Sequence, residues 1–207
     1  RRVLFRSGIK VENFGSHAAV DATTGVQIGV TYTGAIAYDF NLFDGLGVGV
    51  DITNGSFTGA HNVFQNMLQY NNALNISFGG QGIRHEITDT RNARLNLASL
   101  GDESSGNRFW NCNTAVLASN VNEFWVNDAI FRSTHIAPNY GSGWAMPGDT
   151  GISFTSNRPH FTVRKSQFNN LTNGIVFNTP SKNQPYLIPN FGQQNGMFMK
   201  GFIIEYN

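Results

Sequence analysis

Apolar and polar residues alternate at two places in the chain, and this alternation predicts β-strands. Phe124-Trp125-Val126-Asn127 and Phe161-Thr162-Val163-Arg164 show the same pattern and align with each other. Successive side chains of a strand point to opposite faces, so Phe124 and Val126 are expected to point inward, and Trp125 and Asn127 outward. Helices are poorly supported, because no segment sustains apolar spacing of three and four beyond about ten residues.

A longer repeat is superimposed on this alternation. A large apolar residue is followed three positions later by a second apolar residue, and then by a small and an aliphatic residue. Four segments show the pattern: 43–50, 67–74, 109–116 and 168–175, with Met67 in place of Phe in the second. Weaker copies begin at Ala19 and Ile87. The starts at 19, 43, 67, 87, 109 and 131 are separated by 24, 24, 20, 22 and 22 residues, and Phe168 follows 37 residues after Phe131.

A repeat of this length predicts a stack of strand-rich coils in which each coil buries its apolar side against its neighbours. We therefore expect an all-β right-handed parallel β-helix with about 22 residues per coil. The chain has 26 Asn and 23 Gly, residues that tolerate the left-handed backbone of tight corners, and inward-facing Asn is expected to hydrogen-bond its equivalents in adjacent coils. Leucine-rich repeats lack support because their Leu spacing is absent, and a β-sandwich would show shorter strand spacings without the longer register.

The motifs at 109–116 and 168–175 resemble the coil signature of the pectin-lyase-like right-handed β-helix superfamily, which includes polysaccharide lyases and hydrolases and bacteriophage tailspikes. The resemblance covers about Gly8 to Phe177 and is specific for fold, whereas activity varies widely on this scaffold. It implies a polysaccharide partner and an extracellular or virion-surface location. For the tailspikes it also implies a homotrimer.

Three segments depart from the regular coils. Arg1 to Ser7 correspond to the translation of AGA CGT GTG CTC TTC CGA TCT, a sequencing-library adapter, and we set them aside as a foreign segment. The β-helix is expected over residues 8–207, with a loop excursion at 137–149 and a less regular part from Thr179 onward. If the adapter interpretation holds, both ends are expected to be cuts through a longer protein.

Composition narrows the function classes. Fourteen basic residues against 13 acidic ones give a net charge of +1, which argues against nucleic-acid binding because that requires clustered Lys and Arg. No run approaches the roughly 20 apolar residues that span a bilayer, so no membrane partner is expected. Cys112 is the single cysteine, occupies the second apolar position of its repeat, and is expected to be a buried apolar filler.

The densest polar cluster runs from Arg84 to Arg91 and contains our candidate catalytic residues, Arg84, Glu86 and Asp89, with Arg91 as a substrate-binding candidate. Polysaccharide lyases need a cation and a base, and hydrolases need two carboxyl groups roughly 5 to 10 Å apart. Arg84 and Glu86 are expected to share a strand face. A solvated face with local ion pairs explains the same cluster without catalysis.

Aromatic residues supply candidate sugar platforms, because the apolar face of a sugar ring packs on an aromatic side chain. Trp125, Tyr140 and Trp144 are the candidates, the last two in the loop excursion, although Trp144 folding back over a coil explains that residue equally well. No cofactor is expected. Calcium held by Asp39, Asp44 and Asp51 is a weaker alternative, because Asp residues at corners are usually turn formers.

Two functions follow from this sequence. The first is an extracellular or virion-associated protein that binds, and in one version cleaves, a polysaccharide. The second is a non-catalytic structural or adhesion segment of a tailspike or surface protein, which the low charge and high Asn content favour slightly. Whether the chain is an enzyme stays open at this point.

Overall fold

A computed structural model describes residues 7–12, 26–28, 41–67, 69–71, 77–98, 106–133, 144–145, 150–155, 160–178 and 202–205. All regular secondary structure within these ranges is β-strand. The strands in chain order are β1 (Ser7–Glu12), β2 (Val26–Ile28), β3 (Asn41–Asp44), β4 (Val48–Thr53), β5 (Phe57–Gly59), β6 (Asn62–Gln65), β7 (Gln69–Asn71), β8 (Ser77–Gly79), β9 (Gln81–Glu86), β10 (Arg94–Leu97), β11 (Arg108–Trp110), β12 (Thr114–Ser119), β13 (Glu123–Asn127), β14 (Ile130–Arg132), β15 (Trp144–Ala145), β16 (Thr150–Thr155), β17 (His160–Arg164), β18 (Gln167–Asn169), β19 (Asn173–Asn178) and β20 (Phe202–Glu205).

Three sheets contain most of these strands, and all of their pairings are parallel. Sheet A has the order β1-β4-β9-β12-β16-β19, sheet B the order β2-β5-β10-β13-β17-β20, and sheet C the order β18-β14-β11-β6-β3. The chain passes through A, B and C in turn and then returns to A, so each strand pairs with the strand one circuit later. The all-β, parallel-strand prediction is therefore confirmed.

Inward side chains from the three sheets form one apolar core. A column of phenylalanines crosses sheet C with ring centroids 4.7–5.0 Å apart and nearly parallel rings: Phe43, Phe64, Phe109, Phe131 and Phe168. This spacing equals that of neighbouring strands, about 4.8 Å. Residues of sheets A and B complete the core, as where Phe154 of β16 meets Phe124 of β13 with centroids 5.2 Å apart.

The phenylalanine column corrects part of the predicted repeat. Phe64, not Met67, pairs with Phe43, and Met67 lies at the second apolar position, three residues later. Ile87 follows β9 at the corner after sheet A and not in sheet C. The predicted interval of about 22 residues is found from Phe43 to Phe64 (64 − 43 = 21) and from Phe109 to Phe131 (131 − 109 = 22), where no excursion intervenes.

The corners between sheets use left-handed backbone, as the Asn and Gly content predicts. The non-glycine residues with positive φ include five asparagines, Asn54, Asn66, Asn111, Asn120 and Asn170, each directly after a strand. An asparagine ladder also forms, as expected, and it is buried at Asn62 and Asn107. Asn41 Nδ2 donates to Asn62 Oδ1 (3.1 Å), Asn62 Nδ2 to Asn107 Oδ1 (2.9 Å), and Asn107 Nδ2 to the Gly59 carbonyl (2.9 Å).

A fourth, antiparallel sheet D has the order β15-β7-β8. Trp144 and Ala145 of β15, from the predicted loop excursion, pair with Tyr70 and Gln69 of β7. In the C-terminal part β20 pairs with β17, whereas residues 179–201 lie outside the described ranges. At the other end, β1 starts at Ser7, the last residue of the segment set aside above, and residues 1–6 are not described.

Within the described ranges the chain forms no helix of the length and hydrophobicity that crossing a membrane requires.

Candidate functional site

Arg84 and Glu86 of β9 both face outward from sheet A, while His85 between them is buried in the core. The predicted shared face of Arg84 and Glu86 is therefore present. Asp51 of β4 is the register partner of Arg84 and holds its guanidinium in a two-point contact, Nε to Oδ1 at 2.8 Å and Nη2 to Oδ2 at 2.7 Å. The hydrogen bond to Asp51 raises the pKa of Arg84, with smaller contributions from the charges of Asp51 and Glu86.

Asp89 and Arg91 lie in the corner between β9 and β10. Arg91 Nη2 contacts Asp89 Oδ2 at 2.8 Å, and Arg91 Nη1 donates to the Asn54 carbonyl at 2.6 Å. The Arg91 side chain is 8% exposed and that of Asp89 41%. Arg91 therefore ties the corner after β9 to the equivalent corner one circuit earlier, an arrangement that restricts its availability to a ligand.

Trp125 of β13 lies on the outer face of sheet B, where 37% of its surface is exposed. Its neighbours Phe124 and Val126 are buried, so the predicted alternation of this strand is confirmed. The outer face of sheet B is a different surface from the outer face of sheet A. The structure therefore does not bring Trp125 together with Arg84 and Glu86.

A groove crosses the outer face of sheet B beside Trp125. Its volume is about 280 Å³, just below the range of about 300 to 1,000 Å³ that is usual for ligand pockets. Asn96 of β10, Asn127 of β13, and Thr162 and Arg164 of β17 line it together with Trp125, Ala98 and Val126. The described residues that line the groove thus combine one aromatic ring with amide and hydroxyl groups and a single charge.

The opposite side of Trp125 is occupied by Arg94 of β10. The Arg94 guanidinium carbon lies over the indole, 4.9 Å from the ring centroid. Glu123 of β13 holds this guanidinium through one carboxylate oxygen, Oε2, at 2.7 Å from Nε and 2.6 Å from Nη2. Arg94 and Glu123 are register partners, two residues before Asn96 and Trp125 on the same two strands.

The two aromatic candidates of the loop excursion have different outcomes. Tyr140 lies outside the described residues. Trp144 lies in β15, whose backbone pairs with β7. Their predicted role in sugar binding stays a prediction.

The other titratable residues considered above are buried or make hydrogen bonds and ion pairs within the fold. Cys112 is buried as expected, and burial raises the pKa of its thiol. His85 Nε2 lies 2.6 Å from the Gly55 carbonyl oxygen and donates to it, and burial lowers its pKa to about 4. Asp44 accepts a hydrogen bond from Asn66 and Asp51 binds Arg84, while Asp39 is not described. Among the described residues, no three His, Cys, Asp or Glu side chains are grouped closely enough to hold a metal ion.

Several groove residues were not among the candidates predicted from the sequence. Arg164 and Thr162 align with Asn127 and Trp125, so the alignment that placed Trp125 outward could have identified them as its neighbours. Arg94 and Asn96 alternate with the buried Leu95 and Leu97, a pattern that was also visible in the sequence. The pairing of Arg94 with Glu123 across 29 residues had no local signal.

No protein-family model matches the chain, and no significant match is found among curated proteins or solved structures.

Proposed function

We propose that the chain is part of a right-handed parallel β-helix that binds a polysaccharide along the outer face of sheet B. The observation that carries the proposal is the half-exposed indole of Trp125 beside a polar groove that crosses three strands. The ordered rotation through three parallel sheets and the stacked phenylalanine column support the β-helix. They also fit the pectin-lyase-like superfamily, whose coil signature the sequence resembles.

The groove has the chemistry that a sugar ring requires. An indole offers a large, rigid apolar face to the C–H groups of a pyranose, and amide and hydroxyl groups bind its hydroxyls. Asn96, Trp125 and Thr162 are register partners on adjacent strands, so they form a row across the sheet. With Thr58 of β5 this row spans roughly 14 Å, three strand spacings, which suits an extended oligosaccharide lying across the strands.

Binding fits the geometry better than cleavage. The described residues that line the groove include no carboxylic acid, whereas hydrolysis of a glycosidic bond normally requires two. Arg84 and Glu86 lie on another sheet, and the guanidinium of Arg84 is engaged by Asp51. A lyase or hydrolase centred on Glu86 and Asp89 is therefore the second candidate, favoured only by the exposure of these two carboxylates.

The location and assembly belong to the same proposal. A polysaccharide-binding β-helix of this kind acts at a cell exterior or on a virion surface, and a tailspike role requires a homotrimer. Light scattering during size-exclusion chromatography measures the assembly directly. A mass of three chains supports the tailspike role, and a monomeric mass favours a surface-adhesion segment.

The test is binding of the full chain to a panel of acidic and neutral polysaccharides, followed by calorimetry. We expect Trp125→Ala to weaken binding about fivefold or more, because loss of a stacking platform costs about 1 to 3 kcal/mol. Leu42→Ala is the matched control. Leu42 is 60% exposed and lies on β3 of sheet C, whereas the groove lies on sheet B. Equal affinity for the wild type and Trp125→Ala would refute the proposed site.

The same samples test cleavage. Unsaturated products are followed by ultraviolet absorbance and new reducing ends by a colorimetric assay. Product formation that is lost in Glu86→Gln or Asp89→Asn would establish the second candidate and place its active site on the sheet A side. Binding without product formation would assign the chain to recognition alone.

A further inference from the structure

Trp125 has different neighbours on its two sides along the direction of the strands. Along β10 and β13, the residues Arg94 and Glu123 precede the row of Asn96 and Trp125 by two positions. The Arg94 guanidinium lies over the indole on that side, 4.9 Å from the ring centroid. The groove lies on the opposite side, because Asn127 and Arg164 follow that row by two positions.

The ion pair that covers the indole is well held. Both Nε and Nη2 of Arg94 contact Glu123 Oε2, at 2.7 and 2.6 Å, and the two side chains are 16% and 26% exposed. The backbone N–H of Arg94 also donates to Ser56 Oγ at 3.2 Å. A guanidinium stacked on an indole gains cation–π attraction and leaves the ring fewer rotamers.

We propose that Arg94 and Glu123 are positioning residues that hold the Trp125 ring upright and leave only its groove-side face open to sugar. This inference rests on the proposed function and deepens it. The sugar ring then stacks within the groove, its plane alongside the indole, and its edge groups meet Asn96, Asn127 and Thr162. Without the pair, the indole is free to tilt over the groove or away from it, and binding must first restore its orientation.

Whether the Arg94 guanidinium shields the Trp125 indole can be tested without any ligand. In a Trp110→Phe/Trp144→Phe background Trp125 is the sole tryptophan, so acrylamide quenching of fluorescence reports its accessibility alone. Arg94→Met keeps a long unbranched side chain but removes the guanidinium, and Glu123→Gln removes the charge that holds it. We expect quenching to rise clearly in Arg94→Met and less in Glu123→Gln. Unchanged quenching in both variants would overturn the inference.

The positioning role is tested by affinity for the polysaccharide that the wild type binds best in the panel. We expect Arg94→Met to weaken binding about two- to fivefold, the range of a partly exposed cation–π contact, with little change in melting temperature. Arg132→Gln, which removes an exposed arginine of sheet C, controls for the loss of positive charge. An equal loss in Arg132→Gln, or no loss in Arg94→Met despite greater quenching, would refute positioning.

Failure of the proposed function gives a different result. If Trp125→Ala binds the polysaccharide as well as the wild type does, the groove is not the binding site, and this inference falls with the proposed function. If Trp125→Ala loses binding while Arg94→Met keeps it, the proposed function stands and only the positioning role is wrong.

Discussion

His85 is a polar residue in an apolar column. It lies between Ile52 of β4 and Ala118 of β12 in the register of sheet A, is fully buried, and donates from Nε2 to the Gly55 carbonyl at 2.6 Å. Burial disfavours the charged imidazolium, which lowers the pKa of His85 to about 4 despite the opposing effect of the Gly55 carbonyl. The folded state therefore requires that the His85 ring be neutral.

Acidification is expected to destabilise the chain through His85. In the unfolded chain the pKa of this residue returns to about 6.5, so the unfolded state binds more protons between pH 6.5 and 4. Stability is complete above pH 6.5, falls by roughly 3 kcal/mol as the pH drops to about 4, and loses nothing further to this group below that. Urea unfolding of the wild type and His85→Leu across this range measures the effect. Parallel pH profiles for the two proteins would contradict it.

At the scale of the element, sheet C packs its phenylalanine rings against small residues at the start of the sheet A strands. A Cβ on Gly82 would lie 2.8 Å from both the Phe109 ring and the Ala115 carbonyl oxygen, too close for either to be accommodated without movement. At the equivalent Gly174, a Cβ would meet the nearest Phe168 atoms at 3.6 Å, an ordinary contact. The same position in two circuits thus differs in its tolerance of an added methyl group.

This difference predicts opposite effects of one substitution. Gly82→Ala is expected to destabilise the chain by about 1 to 3 kcal/mol, because backbone must shift to admit the methyl group. Gly174→Ala is expected to be neutral or slightly stabilising, because Ala restricts the unfolded chain more than Gly does. Thermal unfolding of both variants provides the comparison. Equal losses of stability in Gly82→Ala and Gly174→Ala would contradict this prediction, because the Phe109 ring would then adjust as easily as the Phe168 ring.

The strands also show why some predictions made from the sequence succeeded and others failed. Alternation within a strand is local, so Phe124 and Trp125 could be assigned to their faces from four residues. The repeat was less secure, because Phe64 and Met67 are both large and three residues apart, and a period of 24 selected Met67. Excursions of unequal length hide the register. For this reason the pairing of Arg84 with Asp51, 33 residues away, could not be predicted.

At the scale of the whole molecule, each described strand of sheets A, B and C pairs only with strands of the circuits before and after it, so the position of a circuit in the stack determines how much support it has. Phe109 stacks on Phe64 and Phe131, whereas Phe43, the first ring of the column among the described residues, stacks there on Phe64 alone. Phe109 is 1% exposed and Phe43 9%.

We therefore expect truncation of the two rings to have unequal cost. Phe109→Ala should lower the free energy of unfolding by roughly 3 to 5 kcal/mol, the usual cost of removing a buried ring, and Phe43→Ala by about half as much. Urea unfolding measures both values, and hydrogen exchange should show protection lost locally in Phe43→Ala but throughout the stack in Phe109→Ala. Similar losses in the two variants would contradict a stability that depends on nearest neighbours.

Sheet D joins two excursions that leave different circuits. β7 and β8 follow sheet C in one circuit, β15 follows sheet C two circuits later, and the two are linked through the pairing of Tyr70 with Trp144. In evolutionary terms, the two insertions are therefore expected to depend on each other. Deleting the excursion that contains β15 exposes a bare hydrogen-bonding edge on β7, and exposed edges invite aggregation. Natural variation in the length of one insertion is therefore expected to be accompanied by change in the other, although the six strands from β9 to β14 lie between them in the chain.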